Sequence, residues 1–126
     1  METLAKLADK KPISKGTHGL IDYGFALSLA AIPMLTGADR KTTNLYRMLA
    51  GQVFLYSALT KQPYAIKPLL SFLMHRKIDV VNLCGLALFS AYKGVAKRKP
   101  TLAAHLGLIA LGVTTVLLTD WKNKNS

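Results

Sequence analysis

Four stretches without a single charged side chain constrain this sequence more than any other feature. Tyr23 to Ala38, Met48 to Thr60, Val80 to Tyr92 and Pro100 to Thr119 contain no Glu, Lys or Arg, and no Asp. Short basic clusters separate them. Lys6, Lys10, Lys11 and Lys15 precede the first; Arg40, Lys41 and Arg47 follow it. Lys61, Lys67, Arg76 and Lys77 occupy the middle, Lys93, Lys97, Arg98 and Lys99 precede the last stretch, and Lys122 and Lys124 follow it. Apolar runs of this length, alternating with basic loops, predict hydrophobic helices. We place four, at 19–37, 44–61, 78–94 and 101–120, and assign the chain to the all-α class.

A helix needs about 20 residues to cross the hydrocarbon core of a bilayer. The first and fourth runs reach that length. The second and third have shorter uncharged centres and span only if Arg47, Lys61, Lys77 and Lys93 extend toward the headgroups along their aliphatic stems. Tyr46, Tyr56, Tyr64, Tyr92 and Trp121 lie at or near run ends, where amphipathic rings favour the interface. The first and fourth helices lack the polar stripe of a solvated helix. The expectation is therefore a four-helix transmembrane bundle, with a soluble four-helix bundle as the alternative.

Composition narrows the remaining classes. A length of 126 residues fits one domain. A hydrophobic content of 51% excludes a disordered basic tail despite the net charge of +11. The single cysteine, Cys84, excludes a disulfide scaffold. The basic residues are divided among loops and do not line one face with stacking aromatics, so nucleic acid is not an expected partner. The expected partners are the lipid bilayer and its anionic headgroups. Gly24/Ser28, Ala26/Ala30, Ala87/Ala91 and Ala103/Gly107 place small residues four apart, which suits close helix packing within the bundle, in a homo-oligomer or in a larger membrane complex.

The segment ahead of His18 carries no apolar run, so no cleavable signal is expected. Leu4, Leu7 and Ala8 could share one face of a short interfacial helix ended by Lys10-Lys11-Pro12, or the segment could be a frayed terminus. Gln62 to Met74 reads as an interfacial connector, with Pro68 in the first turn of a helix. With four spans, both termini and the central connector share one side, which carries ten basic residues against seven on the other. That excess places the termini in the cytoplasm.

The chain also repeats itself. His18-Gly19-Leu20-Ile21-Asp22-Tyr23 recurs as His75-Arg76-Lys77-Ile78-Asp79-Val80. Leu59-Thr60 recurs as Leu118-Thr119, and the two pairs close the second and fourth helices. The reading is two tandem helical hairpins, about 17–61 and 74–121, joined by a connector over 62–74 and related by an axis near the membrane normal. A His-Gly-x-x-Asp-Tyr opening, a helix ending near a proline and a second His-x-x-x-Asp hairpin resemble the SPW-repeat family of small bacterial integral membrane proteins, over roughly residues 13 to 121. The family's Ser-Pro-Trp triplet would fall at Ile32-Pro33-Met34 and Phe89-Ser90-Ala91, where only Pro33 matches. The resemblance implies a four-helix module of the bacterial inner membrane. It implies no activity.

Ionisable groups within membrane spans are candidate functional residues, because burying them is costly. His18 and Asp22, and likewise His75 and Asp79, stand four residues apart and share a helix face. Asn82 adds a polar group to the face of Asp79. Two His and two Asp would make reasonable ligands for a divalent metal if the repeats converge. The simpler expectation is structural: carboxylates near helix N-termini interact with the dipole and free N–H groups, and Thr17 caps the first helix. His105 is a possible haem ligand opposed by His75 or His18. Gln52 and Tyr56 share a face and could bond across the bundle. No resident cofactor is expected, and no nucleophile constellation marks an enzyme. The leading expectation is a structural or accessory membrane module, with an ion-, proton- or metal-handling protein as the alternative.

Overall fold

Three of the long helices begin where a short polar side chain can hold a free N–H of the first turn. Ser14 accepts from the Thr17 backbone N–H at 3.2 Å, Asp39 from Thr42 at 2.8 Å and Ser71 from Met74 at 3.1 Å. The computed structural model describes residues 11–122 and contains α1 (Lys15–Leu35), α2 (Arg40–Ala58), α3 (Phe72–Phe89), the single turn α4 (Lys93–Ala96) and α5 (Lys99–Leu118). The proposed face of Leu4, Leu7 and Ala8 lies outside the described residues. The chain is all-α among the described residues, apart from two isolated bridges.

The caps correct several sequence expectations. Ser14, not Thr17, caps α1, and Thr17 is the donor to it. Both α1 and α3 therefore start earlier than the charge pattern places them, and His18 and His75 lie inside helices. Pro68 does not open α3; the helix starts at Phe72 behind its Ser71 cap. Replacing Ser71 with alanine should lower stability by about 1 kcal/mol, read from chemical unfolding of the purified protein. At the far end of α1, Gly37 takes the left-handed conformation (φ 66°), and the Ala38 N–H donates to the Pro33 carbonyl at 2.9 Å. This is the usual glycine stop, so the helix ends at Leu35 and not at residue 37.

The connector folds back on the end of α2 through backbone bonds. Ile66 N–H donates to Ala58 O at 2.8 Å, Leu70 N–H to Leu59 O at 2.8 Å and Lys61 N–H to Leu70 O at 2.8 Å. Gly19 lets this connector approach α1, because a Cβ there would collide with the side chain of Gln62. The Thr60–Leu70 bridge so formed has a counterpart, the parallel bridge between Ile13 and Thr119. The sequence repeat relates the two bridges, matching Ile13 to Leu70 and Thr60 to Thr119. The lead-in to α1 thus pairs with the end of α5, while the lead-in to α3 pairs with the end of α2.

Helix α1 packs along α2 and against α5, and α3 packs against α5. Phe25, Leu29, Ile32, Tyr46, Val53, Leu86 and Leu108 are among the core residues. Helices α2 and α3 face each other across a crevice lined by Leu45, Met48, Leu49, Gln52 and Phe89. The interior holds polar as well as apolar side chains, and the surface carries large apolar ones. His18, His75 and His105 are buried, whereas Leu27, Leu35, Val81 and Leu88 are 70–83% exposed. Among the described residues two helices, α1 and α5, are long and apolar enough to cross a membrane, by length and composition.

Candidate metal centre

Four buried side chains from the first two to three turns of α1 and α3 meet in a closed ring. His18 Nε2 lies 3.1 Å from Asp22 Oδ2 and 3.0 Å from Asp79 Oδ2. His75 Nε2 lies 2.6 Å from Asp22 Oδ2 and 3.3 Å from Asp79 Oδ2. Nitrogen and oxygen alternate around the ring, and each carboxylate oxygen contacts both imidazoles. The sequence pairs each His with the Asp of its own helix. In the structure the contact across the repeats is the shorter one for both histidines.

The rings are held from behind by matching threonines. His18 Nδ1 is 2.7 Å from Thr119 Oγ1, and His75 Nδ1 is 2.7 Å from Thr60 Oγ1. Thr119 donates its hydroxyl hydrogen to Thr115 O, and Thr60 donates to Tyr56 O, each at 2.5 Å. Each hydroxyl has one hydrogen, already engaged by a carbonyl, so each can only accept from the histidine. Both rings therefore carry hydrogen on Nδ1 and direct Nε2 to the centre. Tyr56 adds a bond from its hydroxyl to Asp79 Oδ1 at 2.6 Å.

On the outer side, aromatic rings cover this arrangement. Trp121 meets His18 at a ring-centroid distance of 4.9 Å and Phe72 at 4.6 Å. Its indole N–H donates to Val116 O at 2.9 Å. Lys15 lies over Phe72 and Arg76 over Trp121, at 5.4 and 5.8 Å. On the inner side lies a cavity of about 30 Å³ open to the centre of a water molecule, bordered by Asp22, Asp79, Tyr56, Gln52, Asn82 and Thr115 among apolar side chains. Asn82 thus sits beside the four-residue ring without joining it, and its side chain interacts with Tyr56.

Comparisons with protein-family models, curated protein sequences and solved structures return no match. The likeness to the SPW-repeat family therefore stands only on the sequence layout already described.

The four ligand atoms of His18, Asp22, His75 and Asp79 all lie within 4.8 Å of one another. Neighbouring atoms are separated by 2.6–3.3 Å. That spacing is of the order expected between ligands of one small cation. The same four atoms can share hydrogens across their N···O contacts or donate lone pairs to one central cation.

His105 does not join the ring. Its Nε2 faces Leu86 O at 2.7 Å and its Nδ1 faces Tyr46 Oη at 2.7 Å. The carbonyl can only accept, so Nε2 carries hydrogen; neither nitrogen is turned toward His18 or His75. Thr60, Thr119, Tyr56, Phe72 and Trp121 belong to the site without being marked as such by the sequence. The Leu-Thr echo at the helix ends is the signal for the threonines. Tyr56, expected to bond across the bundle, does so from α2 to Asp79 on α3.

Proposed function

We propose that this chain is a multi-pass membrane protein that holds one divalent transition-metal ion of the zinc class between His18, Asp22, His75 and Asp79. The observation that carries the reading is the threonine-fixed ring orientation, which aims both Nε2 atoms at the point shared by the two carboxylate oxygens. A hydrogen bond on the far ring nitrogen is the usual support of a metal-binding histidine. Two nitrogens and two carboxylate oxygens suit zinc and its first-row neighbours better than magnesium or calcium, which favour all-oxygen sites. Two carboxylates with one divalent cation sum to zero charge, which lowers the cost of a buried site.

Helix-start stabilisation requires no meeting of the two repeats, whereas a metal site does. The convergence favours metal handling over a purely structural or accessory module. The apolar exterior supports a four-span arrangement in which α2 and α3 cross beside α1 and α5, with Met48, Phe54, Leu55, Val81 and Leu88 exposed to lipid. The starts of α1 and α3 and the ends of α2 and α5 then share one membrane face. The centre lies near that face, the one bearing both termini and the larger share of basic residues, assigned to the cytoplasm.

The test uses detergent-purified protein stripped with a chelator, re-equilibrated with Zn²⁺ and desalted. Wild type should retain about one ion per chain, and the Asp22→Asn/Asp79→Asn variant should retain almost none. Because Trp121 is the only tryptophan and touches His18, Cu²⁺ or Ni²⁺ should quench its fluorescence saturably in wild type alone. Equal metal retention by wild type and the double variant would defeat the proposal.

A further inference from the structure

The repeat relates α1 to α3 and α2 to α5, so the seam between α1 and α5 corresponds to the seam between α3 and α2. The first seam is packed, whereas the second is the open crevice lined by Leu45, Met48, Leu49, Gln52 and Phe89. The side chains differ accordingly. Where α5 has Ala104 and Gly107, α2 has the bulkier Leu45 and Met48, and where α5 has Leu111, α2 has the amide of Gln52.

Gln52 lies within the uncharged stretch of α2, where the crevice meets the inner cavity. Its side chain is exposed and forms no hydrogen bond among the described residues. Ser28 and Thr114, also mid-helix, donate their hydroxyls to carbonyls of their own helices, Gly24 O at 2.8 Å and Ala110 O at 2.7 Å. Gln52 has no such outlet, and an unpaired amide facing hydrocarbon is costly. It stands on one continuous face of α2 with Met48, Gly51 and Leu55. Met48 is 72% and Leu55 58% exposed, and a Cβ at Gly51 would meet nothing within 4 Å. An amide and a glycine gap between two projecting apolar side chains suit a membrane helix that packs on another.

We propose that this face of α2 joins two copies of the chain about a two-fold axis along the membrane normal, with the two Gln52 amides bonded to each other across it. The inference rests on the four-span reading above. A two-fold contact sets each residue near its own equivalent. A primary amide carries both donors and an acceptor, so Gln52 is complementary to its copy. Gly51 lets the two backbones approach, and Met48 and Leu55 fill the space beside it. The exposed faces of α1 and α5 offer Leu20, Leu27 and Met34, and Leu106, Val113 and Leu117, which lipid alone satisfies.

The test reconstitutes the full-length protein into liposomes of phosphatidylethanolamine and phosphatidylglycerol. Donor- and acceptor-labelled copies, each labelled at Lys122→Cys in a Cys84→Ser background, are followed by energy transfer as lipid dilutes them. The parent should show transfer that saturates with protein density. Gln52→Leu should need about tenfold higher density for half-maximal transfer, reflecting the lost interhelical bonds. Gly51→Leu, whose side chain enters open space in the single copy, should do likewise with helicity unchanged. Gln52→Cys in the Cys84→Ser background should form an intermolecular disulfide under mild oxidation, and Leu27→Cys on α1 should not. Inserted parent protein whose transfer does not exceed random proximity would overturn the dimer while leaving the membrane reading standing. Folded Gln52→Leu and Gly51→Leu variants that match the parent, or equal crosslinking through Leu27→Cys, would overturn the assignment to this face. Protein that does not enter the liposomes would defeat both readings.

Discussion

Replacing Asp22 with alanine will lower the stability of the metal-free protein by about 3–5 kcal/mol, the range for removing one partner from a buried ionic cluster. Asp22 Oδ2 is the partner of His75 at 2.6 Å and of His18 at 3.1 Å, and all three side chains are buried. Without it, Asp79 alone must satisfy two imidazoles. Unfolding in mixed detergent micelles, followed through Trp121, gives the measurement. The cluster also predicts strong non-additivity. Asp22→Ala combined with His75→Ala should cost less than the sum of the two, because the second change removes the group stranded by the first. A loss below about 1 kcal/mol for Asp22→Ala would show that the four side chains do not act as a buried unit.

Thr60→Val and Thr119→Val will each weaken metal binding by about 10–100-fold while largely preserving the fold. Valine retains the shape of threonine and removes the hydroxyl, so the Nδ1–H of His75 or His18 loses its acceptor. The ring is then free to turn or to change tautomer, and Nε2 is no longer directed at the centre. Thr101 supplies the control. It is equally buried, but its hydroxyl serves Thr36, away from the site, so Thr101→Val should leave metal affinity unchanged. Competition titrations against a chromophoric chelator measure all three variants. If Thr60→Val and Thr119→Val match Thr101→Val, the threonines do not orient the ligands.

Much of the helical organisation is legible in the charge spacing, because a membrane-type helix excludes charge over most of its length. The His/Asp pairs are legible because residues four apart share a helix face. Charge spacing sets helix starts too late wherever basic residues lie in the opening turns. Arg76 and Lys77 are inside α3, and the Ser71 cap determines its start. Pro68, in turn, lies ahead of that cap and outside the helix. Convergence of the pairs is not legible, because i,i+4 spacing describes one helix, whereas ring closure depends on how α1 and α3 approach each other. The threonines are visible as an echo at the helix ends. Their task is hidden because Thr60 and Thr119 are separated from their histidines by 15 and 101 residues. Helical spacing puts Asn82 on the polar face of Asp79, but the space beside it is a product of packing.

The exchange of partners between the repeats bears on ancestry. Each histidine contacts the aspartate of the other repeat as well as its own, and takes its threonine from the other repeat, Thr119 for His18 and Thr60 for His75. A lone hairpin would hold one His, one Asp and one Thr, with the threonine serving the wrong copy. Two identical hairpins meeting about a two-fold axis would complete the whole ring at once, because symmetry doubles every contact. Fusion into one chain preserves that ring and releases the surrounding positions from having to be the same in both halves. Phe25 opposite Asn82, and Tyr56 opposite Thr115, are differences that a homodimer encoded by a single hairpin could not have acquired on one side alone.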